Sequence, residues 1–280
     1  MIAVALFGAG GNMGTRLTRA LRDDPGYEVR HVEPGERGRA RLAEAGIEPV
    51  EPAEAVRGAQ VAVLAVPDTA VAAVAAGVVG LLEPGTTVMC LDPAGPYAGC
   101  IPERDDVGLF VTHPTHPPLF DLLDEDDAAA RRDYWGGGIA RQSIVNALVR
   151  GGEEHYERGE ALARAIFRPV LRSHRVSLEQ LALLEPALAE TVAITCIAVM
   201  REAFDAVVER GVPEPAASDF LLGHLLLGTA LIFDRLDWKL SAGAEAAVEA
   251  AKRDVFRHDW KQVLEPEAVR RSVAMITQGA

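Results

Sequence analysis

Two histidines, His113 and His116, stand three residues apart in the run Val111-Thr112-His113-Pro114-Thr115-His116-Pro117-Pro118. Prolines fix their own backbone torsions, so this loop is stiff. Two imidazoles on a rigid loop can ligate a divalent metal or exchange protons near neutral pH. Histidines that merely hydrogen-bond within the turn are the bland alternative. A second cluster follows: Arg172-Ser173-His174-Arg175, then Leu184-Glu185-Pro186-Ala187-Leu188-Ala189-Glu190. Its two carboxylates interrupt an apolar run, and a buried carboxylate without a partner is costly, so each needs a cation, a metal or solvent. Five residues turn a helix by about 140°, which keeps both from one ion unless Pro186 distorts the winding. Glu185 is therefore the expected ligand or proton relay, with arginine pairing as its alternative. His224, alone on an apolar helix in Phe220-Leu221-Leu222-Gly223-His224, is a catalytic candidate only if that helix lines a cleft or crosses from a partner subunit. Tyr97, on the sheet-edge loop after Asp92-Pro93-Ala94-Gly95-Pro96, could touch a substrate but is not counted among the site candidates.

A glycine turn supplies the other chemistry. Gly8-Ala9-Gly10-Gly11-Asn12-Met13-Gly14 follows an apolar strand and opens a helix. Such a turn lets backbone amides approach a pyrophosphate, and the helix N-terminus adds about half a positive charge. Glu33, about 20 residues on, ends the next strand and can accept the ribose hydroxyls of an adenosine. Its charge repels a 2'-phosphate, which favours NAD; Arg37, Arg39 and Arg41 just downstream keep NADP open as the minority reading. Val66, Pro67 and Asp68 close another strand on the ligand edge and are expected against the nicotinamide half.

The elements that must hold these groups alternate through the first half. Strands are expected at Ile2 to Phe7, Tyr27 to Val32, Val61 to Val66, Thr86 to Leu91, Gly108 to Thr112 and Gln142 to Val149. Helices fall at Asn12 to Arg22, Arg37 to Ala45 and Glu153 to Ile166, and Pro169 to Val176 is extended. This is an α/β pattern, a doubly wound parallel Rossmann sheet. From Ser177 the pattern is helical only, over Leu178 to Glu209, Glu214 to Phe233 and Ala244 to Phe256. That predicts an NAD-binding domain over 1–175 and an all-α substrate and dimerisation domain over 176–280. Pro186 should kink the first of these helices or start it afresh. The acidic run Asp121 to Asp127 reads as a solvated loop.

Composition narrows the function. The chain has 280 residues, 49% hydrophobic, with 28 basic and 41 acidic side chains for a net charge of -13. Without clustered Lys and Arg, nucleic acid is not an expected partner, nor is an acidic membrane surface. No segment of ~20 uninterrupted apolar residues is found. The N-terminus runs straight into the first strand and glycines, without the basic lead-in of a signal peptide. Cys90, Cys100 and Cys196 are scattered, which suits a reducing cytoplasm. The long apolar helices after Ser177 exceed what a small domain buries alone, so a homodimer through them is expected.

With these motifs in hand, the chain resembles the D-apionate oxidoisomerase family. The resemblance rests on the glycine run at 8–14, His-Pro-Thr-His-Pro-Pro-Leu-Phe at 113–120, Arg-Ser-His-Arg-Val at 172–176, Leu-Glu-Pro-Ala-Leu-Ala-Glu at 184–190 and Phe-Leu-Leu-Gly-His at 220–224. Its helical part is similar to the C-terminal region of certain phosphogluconate dehydrogenases. The resemblance implies an NAD-dependent oxidation of a branched sugar acid, coupled to a metal-assisted carbon migration that yields a 3-oxo acid. It implies a divalent metal, for which His113, His116 and Glu185 are the sequence's candidates, with His116, Glu185 and His224 as catalytic candidates. The lysine that β-hydroxyacid dehydrogenases use early in the interdomain helix has no counterpart, since no lysine precedes Lys239. The rival readings are a prephenate-dehydrogenase-like or imine-reducing enzyme, and a dinucleotide sensor without turnover.

Overall fold

A computed structural model describes residues 1–120 and 128–279, so the acidic run Asp121 to Asp127 lies outside the described residues. The chain forms two compact units, one of Met1–Pro186 with Val269–Ala280 and one of Ala187–Ala268. The first unit thus continues beyond Arg175, where the helical pattern begins, and it takes back the end of the chain.

In the first unit, β1 (Ile2–Phe7), β2 (Tyr27–Val32), β3 (Val61–Leu64), β4 (Thr87–Cys90), β5 (Gly108–Pro114), β6 (Gln142–Arg150) and β7 (Val170–Arg175) make one sheet in the order β2-β1-β3-β4-β5-β6-β7. All neighbours run parallel except β5 and β6. The mostly parallel, Rossmann-like sheet is the expected one; the antiparallel pair is a feature the strand pattern does not reveal. Every residue of β3 is buried, as a central strand covered on both faces must be. Alternate residues supply two cores. Ala5, Phe7, Ala62, Leu64 and Val88 face one layer, and Val4, Leu6, Val61, Val63 and Phe110 the other.

The helices of this unit are α1 (Asn12–Leu21), α2 (Glu36–Glu44), α3 (Pro52–Ala55), α4 (Asp68–Val78), α5 (Ala94–Tyr97), α6 (Glu153–Ile166) and α7 (Leu178–Ala182). Leu17 and Leu21 of α1 pack with Leu162 and Ile166 of α6 on one face of the sheet, while Val71, Ala75 and Val78 of α4 cover the other. Strand order reverses between β1 and β3, which opens a ligand crevice at their carboxyl ends. The turns after β1, β3, β4 and β5 all reach this edge.

The second unit is helical: α8 (Thr195–Glu209), α9 (Glu214–Ile232) and α10 (Ala242–Val255). The helix α11 (Pro266–Gln278), which the sequence reading did not predict, buries Val269 and Val273. Pro186 does not restart its helix. From Leu183 to Ile194 the backbone winds as a π-helix, so helical structure runs unbroken from α7 into α8. The i→i+5 bonding of a π-helix leaves room for a residue that has no amide proton and crowds the preceding turn.

Leu178–Glu209 and Glu214–Ile232 are long and apolar enough to cross a membrane by length and composition alone, although neither is an uninterrupted apolar run. Isolated charges had hidden them from a search for uninterrupted apolar runs.

Candidate active site

The glycine turn is built around close backbone approach. Gly8 has φ +76°, a left-handed conformation, and a Cβ there would stand 2.4 Å from the Ala65 carbonyl at the end of β3. A Cβ on Gly10 would stand 2.3 Å from Gly38 Cα. Gly11 donates its N–H to the Gly8 carbonyl at 3.0 Å and closes the turn. Gly11 gives α1 no side-chain cap, so the first helical amides, at Asn12 and Met13, point outward without one. Gly14, within the first turn of α1, is buried.

Glu33 sits just past β2. One carboxylate oxygen accepts the Gly10 N–H and the other the Gly35 N–H, both at 2.9 Å. These two bonds hold the carboxylate beside the glycine turn with lone pairs to spare. Arg39 donates Nε–H to the Glu33 carbonyl at 2.8 Å, and Arg41 donates to the Gly10 carbonyl at 3.0 Å. Two of the three arginines that left NADP open are thus engaged by backbone. Gly8, Val32, Glu33, Val66 and Val74 border a mostly apolar cleft of about 320 Å³. Pro67 precedes α4 and places Asp68 as its first residue.

The chemical groups gather along the same edge. Asp92, His113 and Glu185 each offer one ligand atom, and these atoms lie within 4.8 Å of one another. Each is partly buried. His113 Nδ1 donates to the Leu91 carbonyl at 2.9 Å, so Nε2 carries the lone pair, and it stands 3.5 Å from Glu185 Oε2. Asp92 lies 3.6 Å from His113 Nδ1 and is steadied by the Ala94 N–H at 2.8 Å. Burial pushes the Glu185 carboxyl above its ordinary range and Asp92 adds to the push, while His113 and His116 oppose it. Asp68 is driven up to about 6, first by burial and then by the negative charge of Asp92. Carboxylates crowded this way are short of positive charge.

The structure therefore brings His113 and Glu185 together but joins them with Asp92, not His116. His116 has φ +58° and donates Nδ1–H to the Trp135 carbonyl at 3.2 Å, which holds its ring edge-on to His113 at 6.2 Å between centroids. It stands outside the three-residue group, and among the described residues no hydrogen bond to its Nε2 is formed. Glu190 is exposed and is not in that group. His224 lies in the second unit, exposed, stacked on Phe220 at 4.1 Å with Nδ1 bonded to the Phe220 carbonyl. Arg175 is taken up by Glu153 at 2.6 Å and by the Tyr156 ring, and Tyr97 ends α5. The sequence reading missed Asp92. Its signal was available: an Asp directly after a buried parallel strand, on the ligand edge.

Residues 3–90 match the family described as NADP oxidoreductase, coenzyme F420-dependent, and residues 123–277 match the phosphogluconate dehydrogenase (decarboxylating) C-terminal family. The D-apionate oxidoisomerase of Rhizobium rhizogenes is 49% identical over 278 residues, covering 99% of this chain and 100% of that protein. That of Cupriavidus necator is 48% identical over 275 residues, covering 98% and 99%.

The chain belongs to the D-apionate oxidoisomerase family.

A crystal structure of a semialdehyde dehydrogenase NAD-binding protein from Cupriavidus necator, in complex with calcium and NAD, superposes on this D-apionate oxidoisomerase relative with a TM-score of 0.94. It is 48% identical and covers 98% of this chain and 99% of that one. A ketol-acid reductoisomerase from an uncultured archaeon, at 18% identity and a TM-score of 0.69, shares the fold, over 97% of this chain and 82% of its own.

Proposed function

We propose that this chain is an NAD-dependent oxidoreductase that oxidises a hydroxyl of a branched sugar acid, D-apionate or a close analogue, with carbon migration to a 3-oxo acid. One observation carries the reading: Asp92, His113 and Glu185 converge at the sheet edge where the glycine turn and Glu33 also lie. The donor set fits a divalent cation. Two carboxylates and one imidazole, crowded until burial and mutual repulsion hold Glu185 toward its neutral form, form a hard, oxygen-rich site of excess negative charge. Without a cation such a site would repel an acidic substrate. The turn fits a dinucleotide, since its amides at Asn12 and Met13 suit a pyrophosphate and Glu33 the ribose hydroxyls.

NAD, when bound, supplies the hydride acceptor, and a divalent cation supplies Lewis acidity toward the substrate's oxygens. Asp92, His113 and Glu185 would hold the cation. The Leu91 carbonyl keeps His113 in the tautomer that presents Nε2. His116, fixed at Nδ1 by the Trp135 carbonyl, is free at Nε2 to take the proton of the reacting hydroxyl and return it. Val66, Pro67 and Asp68 border the turn where the nicotinamide half is expected. The three cysteines are unpaired, which is compatible with a reducing compartment.

The experiment is a set of branched and linear aldonates offered with NAD, followed by absorbance of the reduced cofactor before and after chelation. NADH formation with a branched acid that chelation abolishes supports the reading. Activity that survives exhaustive chelation removes the cation, and dinucleotide binding without turnover on any acid leaves a sensor.

We also infer a homodimer through the second unit. Helix α9 is apolar on all sides and buries only Ala217, which is the pattern of a helix that needs a further partner. Asp219 and His224 on α9, and Arg201 and Asp205 on α8, favour a second copy over hydrocarbon.

A further inference from the structure

One face of α1 meets a pocket that the proposed reaction does not use. Asn12, Thr15, Arg16 and Arg19 recur at helical spacing and, with Trp135 and Arg168, line a cavity of about 340 Å³. This is the lower end of the roughly 300–1,000 Å³ of small-molecule sites. Among the described residues three guanidiniums and no carboxylate line it, in a chain whose net charge is -13.

The three cations are unequally satisfied. Arg16 is 6% exposed, donates to the Trp135 and Gly136 carbonyls, and lies against the Trp135 and Phe167 rings. Burial lowers its pKa to about 10, opposed by the nearby charge of Asp133. Asp133 offers little more, because its oxygens already accept the N–H groups of Gly137, Ile139 and Ala140. Arg168 bonds the Ala20 carbonyl and stands 3.6 Å from Asp24, a loose contact. Arg19 is exposed and makes no hydrogen bond or ion pair with any described residue. A buried guanidinium lacking a close carboxylate is short of a counter-ion, and guanidinium forks match the oxygens of a phosphate.

We propose that this pocket is a second ligand site, beside the dinucleotide turn and sharing only Asn12 with it, for a small phosphorylated metabolite whose phosphate is held between Arg19 and Arg168 above Arg16. The pocket also adjoins the catalytic loop. The Trp135 carbonyl that Arg16 holds is the one that accepts the Nδ1–H of His116.

The test is thermal unfolding of the full chain in inorganic phosphate against sodium chloride of equal ionic strength, with and without saturating NAD. The expected result is a phosphate-dependent rise in Tm that persists with NAD present. It should fall by at least tenfold in apparent affinity in Arg19→Gln and vanish in the Arg19→Gln/Arg168→Gln double variant. Both residues lie outside the proposed catalytic groups, so basal NADH formation should persist in each variant. An equal Tm rise in the variants, or none in the wild type, overturns the site, and a rise with citrate but not phosphate overturns the ligand class. The comparison with R19Q depends on the pocket alone, so it stands whether or not the dinucleotide reading does.

Discussion

The Leu91 carbonyl takes the Nδ1–H of His113 at 2.9 Å, and the ring's other nitrogen is thereby aimed at Glu185, 3.5 Å away. A backbone carbonyl can only accept, so it fixes this tautomer of the neutral ring. His113→Ala removes one donor from a three-donor group, and Glu185→Gln leaves an oxygen there but removes its negative charge. Both should lower divalent-cation affinity by more than the roughly 10–100-fold that loss of a supporting hydrogen bond costs a metal site. Calorimetric titration with manganese or calcium reads this directly. Unchanged affinity in Glu185→Gln would show that the carboxylate only pairs with the histidine.

Glu33 offers a separate handle, because its carboxylate already binds the turn through Gly10 and Gly35. Hydrogen bonds to charged groups contribute about 1.5–3 kcal/mol each. Glu33→Ala should therefore raise KM for NAD by about tenfold or more while kcat changes less. Removing the negative charge beside Arg39 should also narrow the preference for NAD over NADP. Steady-state kinetics with both cofactors measures the two effects. A preference for NADP already present in the wild type would invert the assignment.

The dinucleotide turn was legible because its signal is local: a strand, closely spaced glycines, a helix and an acid all fall within about 30 residues. The ion-binding group was only half legible. His113 stood out by residue type and Glu185 by its apolar surroundings, but Asp92 joins them only because β4 lies beside β5 in the sheet. No spacing along the chain encodes that neighbour. His116 matched His113 in chemistry and position, yet its positive φ turns it to Trp135, a backbone choice that side-chain patterns do not reveal. The π-winding around Pro186 is of the same kind, since a proline in a helix signals a disturbance without saying which. The antiparallel run of β6 has no sequence signal either.

Asp68 predicts a pH dependence. Its carboxyl is pushed up to about 6 in the folded chain, against about 3.9 for a free aspartate. The folded state therefore holds its proton more tightly than the unfolded chain. The stability this contributes is complete below pH ~4 and is lost as pH rises through ~6. Asp68→Asn should remove that loss and stabilise the cation-free protein at pH 7 by about 1–2 kcal/mol, after allowance for solvent screening of a half-exposed group. Denaturant unfolding of both proteins at pH 4.5 and pH 7, in chelator, tests the sign. A variant less stable than wild type at pH 7 would mean that the Asp68 charge stabilises the fold.

The second unit yields the last prediction. Phe220, Leu226 and Ile232 are each more than half exposed on α9, and α8 and α9 leave an apolar groove of about 220 Å³ lined by residues that include Phe204 and Leu221. Soluble monomers rarely leave so continuous an apolar surface in water. If a second copy covers it, the face must be self-complementary about a twofold axis, and one substitution then counts twice, once on each side of the axis. Leu226→Glu should therefore place two carboxylates in one dry interface and shift the protein to monomer, as read by light scattering at micromolar concentration. Since the unit's apolar helices are then uncovered, its Tm should fall as well and become independent of protein concentration. A wild type that is already monomeric, or that partitions onto neutral lipid vesicles, would mean that something other than a second copy covers α9.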